Sequence, residues 1–143
     1  MKAEECIFFQ LAKASQAAAR FWTSRLTGVH VTSSQGMVLG FLHENDQVTS
    51  RELGERVMLD SATLTGIIDR LEKAGFVERK DHPEDRRALN VCLTRQGRDL
   101  TDSLISIAET ANQDFLAPLT SEEQLILRLL LRKLTQKHRS AEG

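Results

Sequence analysis

Apolar side chains recur at three- and four-residue spacing along most of the chain, and this period predicts a mainly helical protein. The first helix is predicted over about residues 3–26, where one apolar stripe contains Ile7, Leu11, Ala14, Ala18 and Phe21, and Gly28 follows its end. Three further helices are predicted to begin at capping boxes, in which a Thr precedes a Gln or Glu by three residues. These boxes are Thr32 with Gln35, Thr49 with Glu52, and Thr120 with Glu123.

The middle of the chain predicts one more helix followed by a β-hairpin. Asp60 is the predicted N-cap, and the residues that then share one narrow helical face are Leu64, Ile67, Ile68 and Leu71. Gly75 is expected to end this helix with a positive φ, and Phe76 to supply the apolar contact that accompanies such an end. Two strands are predicted at residues 76–80 and 89–93, with a polar turn between them. Two tight helices followed directly by a hairpin indicate a winged helix-turn-helix.

The terminal helices carry more apolar surface than a monomer needs. Thr94 is predicted to cap a long helix that Pro118 ends, and the last helix then reaches about residue 137. The apolar residues of that last helix surround its axis; they are Leu125, Ile126, Leu127, Leu129, Leu130, Leu131 and Leu134. Because a helix that is apolar on all sides must be buried on all sides, we expect the terminal helices to pack against their copies in a two-fold homodimer. A thick monomeric core is the alternative.

Composition limits the class of protein. A chain of 143 residues with 41% hydrophobic residues is expected to be one domain with its own core. Cys6 and Cys92 are too few for a disulfide scaffold, and no apolar run approaches the ~20 residues that span a bilayer. We therefore expect a cytoplasmic protein without membrane contact. We expect no enzyme, cofactor or metal site either, because catalytic motifs are absent and so is metal-ligand spacing among His30, His43, His82 and His138.

Charge alone does not indicate a nucleic-acid partner. The net charge is −1, and residues 61–87 hold equal numbers of basic and acidic residues. The outward face of the predicted helix at residues 60–74 is more informative, because small side chains there let a helix enter a DNA major groove and its N–H groups suit phosphate. The residues of this face are Ser61, Ala62, Thr63, Thr65 and Gly66, followed by Arg70 and Lys73. The alternative is a solvated polar face, which Asp69 favours because its carboxylate would repel phosphate.

The turn of the predicted hairpin places two arginines, Arg86 and Arg87, at the end of a short ribbon. An arginine in this position can enter a narrow minor groove, where negative potential is concentrated. Asp85 precedes Arg87 by two residues and could hold its guanidinium through two hydrogen bonds. The alternative is a solvated charged turn with a surface ion pair worth about 0–1 kcal/mol.

The stretch LEKAGFVERKDHPEDRRALNVCLT, at residues 71–94, resembles the signature of the MarR family of winged-helix regulators. The matching positions are Leu71, Glu72, Gly75, Val77, Arg79, Asp81, Pro83, Asp85, Arg87, Leu93 and Thr94. Upstream positions also fit, namely Thr32, Ser34, Gln35, Leu39, Leu53 and Asp60, so that the resemblance covers nearly the whole chain.

The resemblance implies a role for each matching segment. Residues 31–93 would form the DNA-binding lobe, and residues 1–30 and 94–143 the dimerisation helices. Residues 61–73 would be the recognition helix, Arg79 and Lys80 would contact the DNA backbone, and Arg87, oriented by Asp85, would enter the minor groove. Arg86 would be a second contact of the wing, and Ser33 and Ser34 would donate to phosphate. The homodimer would then read a pseudo-palindrome with half-sites about one helical turn apart.

Members of this family respond to small aromatic or amphipathic ligands, or to oxidants. The candidate effector-pocket residues are Phe9, Lys13, Met37 and Phe41, although each fits a core position equally well. Cys6 loosely resembles the cysteine of organic-hydroperoxide sensors in this family. Those sensors engage their cysteine with tyrosines, and this chain has none. The alternative for Cys6 is an incidental thiol, and Cys92 is predicted to be structural.

These observations predict a sequence-specific DNA-binding regulator, a repressor that binds as a homodimer and is released by a small ligand. Two alternatives remain open. One is a winged-helix protein-interaction module without DNA binding, which the balanced charge allows. The other is a cysteine-based oxidant-sensing regulator. The pairing of Asp85 with Arg87 beside a small-residue helix face favours DNA binding, because an interaction module has no need of both.

Overall fold

The computed structural model describes residues 1–139, with the side chains of the last helix described as far as Gln136. His138, one of the four histidines considered above, therefore has its side chain outside the described part. The helices are α1 (Ile7–Arg25), α2 (Ser33–Glu44), α3 (Ser50–Val57), α4 (Ser61–Lys73), α5 (Arg95–Leu116) and α6 (Ser121–Arg139). The strands are β1 (Val48–Thr49), β2 (Val77–Asp81) and β3 (Leu89–Leu93). The predicted fold class, mainly helical with a small β-hairpin wing, is confirmed.

Side-chain caps start the helices where the sequence predicts them. The Thr32 hydroxyl accepts from the backbone N–H of Gln35, and the Gln35 side chain accepts from the N–H of Thr32 at 2.8 Å. Thr49 with Glu52, and Thr120 with Glu123, form the same reciprocal pair. Each box satisfies two backbone donors that the first helical turn leaves unpaired.

The end of α4 is fixed by a left-handed glycine. Gly75 has φ +81°, its N–H donates to the carbonyl of Glu72, and the N–H of Phe76 donates to the carbonyl of Leu71, both at 2.9 Å. This is the hydrogen-bond pattern of a Schellman motif. Phe76 packs against the core, as the sequence predicts. The motif reverses the chain directly from α4 into β2.

The sheet has three antiparallel strands in the order β1-β3-β2, one more strand than the sequence predicts. In the unpredicted strand, Val48 pairs with Val91 and Thr49 with Asn90. The carboxylate of Asp46 extends this edge by accepting from the N–H of Leu93 at 2.9 Å. β2 also begins and ends one residue later than predicted, because Phe76 belongs to the end of the helix.

The first helix is shorter than predicted. A 3₁₀ turn covers Ala3–Glu5, Cys6 adopts an extended conformation with ψ 122°, and α1 begins at Ile7. The Glu5 carboxylate accepts from the backbone N–H of Lys2 at 3.0 Å, which closes this turn on itself. The two ends of the apolar stripe of α1 also have different surroundings. Phe21 contacts Phe115 of α5, whereas Ile7 is 52% exposed.

The core lies between α2, α3, α4, the sheet and the middle of α5. Its largest fully buried aliphatic side chains are Leu39, Leu42, Leu53, Ile68 and Leu71. In contrast, α6 has no extensive contact with another element of the described chain. In the described range, no helix combines the length and the apolarity needed to cross a membrane.

Candidate nucleic-acid interface

One face of α4 buries Leu64, Ile67, Ile68 and Leu71, and the opposite face is open. The residues of this face that the sequence proposes for DNA recognition are exposed, namely Ser61, Ala62, Thr63, Thr65, Arg70 and Lys73, and Asp69 is exposed as well. A Cβ added at Gly66 would meet nothing within 4 Å, so this position also faces open space. The structure therefore brings together, on one surface, all of the α4 residues that the sequence proposes for DNA recognition.

Asp60 organises the first turn of α4. Its Oδ1 accepts from the Thr63 N–H at 2.9 Å, and its Oδ2 accepts from the Thr63 hydroxyl at 2.6 Å. These bonds hold the pKa of the Asp60 carboxyl below its usual value, with the side-chain bond as the largest cause. Because the Thr63 hydroxyl donates to Asp60, its oxygen lone pairs and its methyl group are what remain for an outside partner.

Arg79 of β2 is directed towards α4. Its Nη2 lies 2.6 Å from Asp69 Oδ1, and its Nη1 donates to Glu72 Oε2. Burial alone would lower the pKa of the Arg79 guanidinium, but the hydrogen bonds and charges of the two carboxylates outweigh it and raise the pKa. The carboxylate of Asp69, which the sequence counts against DNA binding, thus has an internal counter-charge.

The wing tip, residues 82–88, is held by short-range hydrogen bonds. His82 Nδ1 accepts from the N–H groups of Glu84 and Asp85, both at 3.1 Å. Asp85 Oδ1 accepts from the backbone N–H of Arg87 at 2.9 Å. The sequence predicts the guanidinium of Arg87 as the partner of Asp85, and the structure differs. The Asp85 carboxylate holds the backbone of the turn and not the Arg87 side chain, because an Asx-type bond to a nearby N–H is locally available.

The arginines of the wing remain available. Arg86 and Arg87 are exposed, and neither forms an ion pair among the described residues. Lys80, by comparison, has its Nζ 2.8 Å from Glu78 Oε1, and this bond is the main reason for its raised pKa. Within the described residues, the positive charges of the wing that have no acidic partner are therefore at its tip.

Ser33 and Ser34 occupy the first turn of α2. Ser34 is exposed, whereas the Ser33 hydroxyl lies 3.3 Å from that of Thr23 on α1. The N-terminal turn of a helix offers unpaired N–H groups together with these hydroxyls, which suits a phosphate oxygen. Both serines are thus placed as the sequence predicts, with Ser33 partly engaged within the protein.

Two contributions to the site were missed in the sequence. His82 was considered only as a metal ligand, although a side-chain acceptor just before a Pro-containing turn is a recognisable signal for such a bond. Arg51 of α3 is exposed and lines a cleft between α3 and α4 together with Ser61 and Thr65. Arg51 also lies 3.5 Å from Glu55, and its place beside the start of α4 follows from the packing of the two helices, which no local sequence pattern specifies.

The four candidate effector residues form two separate pairs. Met37 and Phe41 line a groove of about 300 Å³ between α2 and α5, which Ile105 completes. Lys13 Nζ lies 5.7 Å from the centre of the Phe9 ring on α1, and neither residue lines that groove. A second groove, of about 290 Å³ between α1 and α5, is lined mainly by Ala18, Phe21, Trp22, Ala108, Ala111 and Phe115.

The two cysteines have different surroundings. Cys92 is buried, and burial is the main cause that raises the pKa of its thiol, in agreement with the predicted structural role. Cys6 is partly exposed at the N-cap of α1. Among the described residues there is no cluster of three or more His, Cys, Asp or Glu side chains suited to a metal ion.

Comparison with known proteins gives the context of this geometry. The MarR family model matches residues 31–89, which contain α2, α3, α4, β2 and the wing tip and end at the first residue of β3. The organic hydroperoxide resistance transcriptional regulator of Bacillus subtilis is 32% identical over 110 residues, covering 77% of this chain and 75% of the relative.

Two solved structures extend the similarity to nearly the whole chain. A cysteine-to-serine mutant of Escherichia coli MarR complexed with operator DNA has a TM-score of 0.84 and 27% identity, covering 90% of this chain and 92% of that one. Bordetella bronchiseptica BpsR, whose DNA binding is regulated by 6-hydroxynicotinic acid, has a TM-score of 0.89 and 26% identity, covering 94% and 96%. A winged helix with an open α4 face, a family match over that lobe and relatives of similar length lead to one conclusion: the chain belongs to the MarR family of DNA-binding transcriptional regulators.

Proposed function

We propose that the protein is a repressor that binds a pseudo-palindromic operator as a homodimer and is released by a small ligand. The observation that carries this proposal is the surface shared by α4 and the wing. It combines a helix face of small residues with two arginines that no described acidic group neutralises. A solvated surface without a partner would not require both features.

In this proposal, the start of α4 enters the major groove. Ser61, Ala62 and Gly66 let the helix backbone approach the bases, while the oxygens and methyl groups of Thr63 and Thr65 contact base edges. The phosphate contacts come from flanking positions, namely Ser33, Ser34, Arg70, Lys73 and Lys80. Arg86 and Arg87 enter the adjacent minor groove, and Asp85 acts through the backbone turn that presents them.

The homodimer is proposed from the apolar surface of the terminal helices, in residues 1–30 and 94–143. Leu125, Leu130 and Leu131 of α6 are 67%, 50% and 42% exposed in the protomer. A run of such leucines on a helix without extensive contacts inside its own described chain is typical of a protein interface. A two-fold axis through these helices would present two α4 helices, which suits a pseudo-palindrome with half-sites roughly 10 bp apart.

The effector is proposed to be a small aromatic or amphipathic molecule. The groove of Met37 and Phe41 lies between α2, which packs against α3 and α4, and α5. A ligand in this groove would contact both the DNA-binding lobe, residues 31–93, and the dimerisation helices. It would change DNA affinity by binding one arrangement of these two parts more tightly than another. The regulation of BpsR by 6-hydroxynicotinic acid supports this class of effector.

A second candidate is release by an oxidant through Cys6. Its support is the position of a partly exposed thiol at a helix N-terminus, together with the similarity to a regulator named for organic hydroperoxide resistance. Peroxide should then weaken DNA binding by the wild type and leave a Cys6→Ser variant unaffected. Equal responses of the two proteins would remove Cys6 from the account.

The experiment that tests the main proposal is selection of duplexes from a random pool, followed by fluorescence-anisotropy titration at two salt concentrations. A regulator should enrich a pseudo-palindrome and bind it at least ~10³-fold more tightly than scrambled DNA, with an affinity that falls steeply with salt. Failure to enrich any sequence, with equal weak binding to both duplexes, would contradict the proposal. That result would favour a winged-helix protein-interaction module.

A further inference from the structure

Arg79 differs from the other basic residues near α4 in its surroundings. Its side chain is 22% exposed and reaches two carboxylates at once, Asp69 and Glu72. Arg70, Lys73, Arg86 and Arg87, by contrast, are exposed and have no ion pair among the described residues. These two bonds use only two of the five N–H donors of the guanidinium. They nevertheless set two negative charges against its single positive charge, and the side chain is largely buried, so that little of this charge is left for a phosphate.

The two carboxylates lie on one edge of α4, because residues three apart share a helix face. Arg79 itself is the third residue of β2 and pairs in register with Val91 of β3. The contact therefore joins the second half of α4 to the middle of the wing across the turn at residues 74–76. α4 and β2 are also in contact, and Leu71 of α4 and Val77 of β2 are both buried in the core.

This bridge has two consequences for a surface that reads DNA with α4 and the wing together. It fixes the angle between the two elements, so that the start of α4 and the wing tip are presented at one spacing. It also supplies a counter-charge for Asp69 and Glu72, which would otherwise repel phosphate beside Arg70 and Lys73. Neither consequence requires Arg79 to contact the DNA.

We propose that Arg79 is a positioning residue that locks the wing to the recognition helix through Asp69 and Glu72, and is not a phosphate ligand. This inference rests on the proposed DNA-binding function and replaces the backbone contact that the sequence predicts for Arg79. It also gives Asp69 and Glu72 a supporting part in specific binding, through Arg79, although both are acidic.

The two roles predict opposite results for conservative variants. A phosphate ligand can be replaced by lysine, which keeps the charge, whereas lysine cannot donate to two carboxylates with the fork geometry of a guanidinium. Removing acidic charge from a DNA-binding surface should strengthen binding by electrostatics alone. If Asp69 and Glu72 hold Arg79 in place, however, their loss should weaken specific binding despite the more positive surface.

The test uses four variants of the full chain: Arg79→Lys, Arg79→Gln, Asp69→Asn, and Asp69→Asn combined with Glu72→Gln. Each is titrated against a duplex that the wild type selects from random DNA, and against scrambled DNA, over a range of salt. We expect the specific affinity to fall on the order of ten-fold in every variant, since members of one salt-bridge network are strongly coupled. The scrambled-DNA affinity of the two acidic-residue variants should stay equal or rise.

The salt dependence separates this role from a phosphate contact. Loss of a phosphate ligand reduces the slope of log affinity against log salt by about one. We expect Arg79→Gln to leave that slope unchanged at the wild-type value. Thermal unfolding of each variant, with binding measured well below the transition, checks that the loss is not caused by unfolding. Asp69→Asn alters one side-chain atom and keeps the test available if an Arg79 variant fails to fold.

Three results would overturn the inference. Arg79→Lys could bind like the wild type while Arg79→Gln loses one unit of salt slope, which would identify a phosphate ligand. The acidic-residue variants could bind the selected duplex more tightly, or all four could bind like the wild type, and either result would exclude a positioning role. Failure of the wild type to select any duplex is a different result, because it contradicts the proposed function itself.

Discussion

The wing tip is organised by two acceptors, the His82 imidazole and the Asp85 carboxylate, and both act on backbone N–H groups. Among the described residues, neither forms an ion pair with Arg86 or Arg87. At this scale the wing therefore separates two tasks: the His82 and Asp85 side chains fix the turn, and the arginines are left for an outside partner. Each task can be tested by a separate substitution.

The first prediction concerns Arg87. Arg87→Ala should weaken binding to a selected duplex by about 1–3 kcal/mol, because a minor-groove arginine is lost. The unfolding transition should not change, since the side chain is exposed and its N–H bond to Asp85 belongs to the backbone. Anisotropy titration and thermal unfolding measure the two quantities, with scrambled DNA as the control for general charge loss. Unchanged affinity for the selected duplex would show that the wing does not contact DNA there.

The second prediction concerns the His82 imidazole, whose Nδ1 accepts from the N–H groups of Glu84 and Asp85. His82→Ala removes this acceptor, so that the turn that presents Arg86 and Arg87 loses part of its support. The affinity for the selected duplex should therefore fall, while the affinity for scrambled DNA should not. Anisotropy titration against both duplexes measures the two quantities.

The matched variant is His82→Asn, which keeps a side-chain acceptor for these two N–H groups. Its affinity for the selected duplex should lie closer to that of the wild type than to that of His82→Ala. Equal affinities of all three proteins would mean that the bonds of His82 do not control the wing.

Whether a contact could be predicted from the sequence depends on how far apart its two residues lie along the chain. The caps Thr32, Thr49 and Asp60 were predicted because each bonds a residue three positions away. The partners of Arg79 lie ten and seven residues away, across a helix end and a turn. Their meeting depends on the angle between α4 and β2, which no local pattern specifies.

At the scale of elements, the strand β1 shows the same limit. Two residues have no measurable period, and Val48 with Thr49 become a strand only because β3 supplies an edge for them. The helices and the hairpin, in contrast, were predicted with most boundaries close to the observed ones, because each combines an apolar period with a cap or a turn signal. The open face of α4 follows from that period, since a narrow buried stripe leaves the opposite side exposed.

The open face of α4 gives a prediction in which stability and binding change in opposite directions. Gly66→Ala should raise the free energy of unfolding by up to about 1 kcal/mol. Alanine is more favourable than glycine in a helix interior, and its Cβ would meet no atom within 4 Å at this position. If α4 approaches DNA closely at Gly66, the same methyl group should weaken binding to the selected duplex. Chemical denaturation and anisotropy titration measure the two effects.

Gly97→Ala is the matched control for that substitution. A Cβ at Gly97 would lie 1.9 Å from the carbonyl oxygen of Phe76, so this alanine should destabilise the fold. The two variants therefore test whether the surroundings of the glycine, and not the residue type, decide whether alanine raises or lowers the free energy of unfolding. A Gly66→Ala protein that is more stable and binds DNA normally would show that the backbone of α4 stays away from the bases at this position.

At the scale of the whole molecule, the lobe of residues 31–93 forms a core together with Leu26 and with Leu104 of α5, whereas α6 has few contacts within the described part of its chain. The leucines of α6 face solvent in the protomer, although the sequence predicts them to be buried on all sides. The difference has a physical explanation in the proposed homodimer, where α6 would be covered by the second copy. In this proposal, the apolar pattern of α6 reflects the assembly and not the protomer alone.

The last prediction tests this explanation with one charge on α6. Leu130→Glu replaces a side chain that is 50% exposed in the protomer, so the protomer core should lose nothing. In a homodimer the carboxylate would be buried without a partner, and the dimer dissociation constant should rise about 30-fold or more, as for other central interface residues. Light scattering over a range of protein concentrations measures this change.

The control is Lys133→Glu, which changes the charge of the same helix at a polar position and should leave the dimer intact if Leu130 acts through burial. Specific DNA affinity links the assembly to function, because a pseudo-palindrome engages two α4 helices only when they belong to one dimer. Leu130→Glu should therefore bind the selected duplex weakly at concentrations where it is a monomer, and regain affinity as the protein concentration restores the dimer. A Leu130→Glu protein that remains a dimer and binds normally would mean that α6 does not form the interface, and its exposed leucines would then need a different partner.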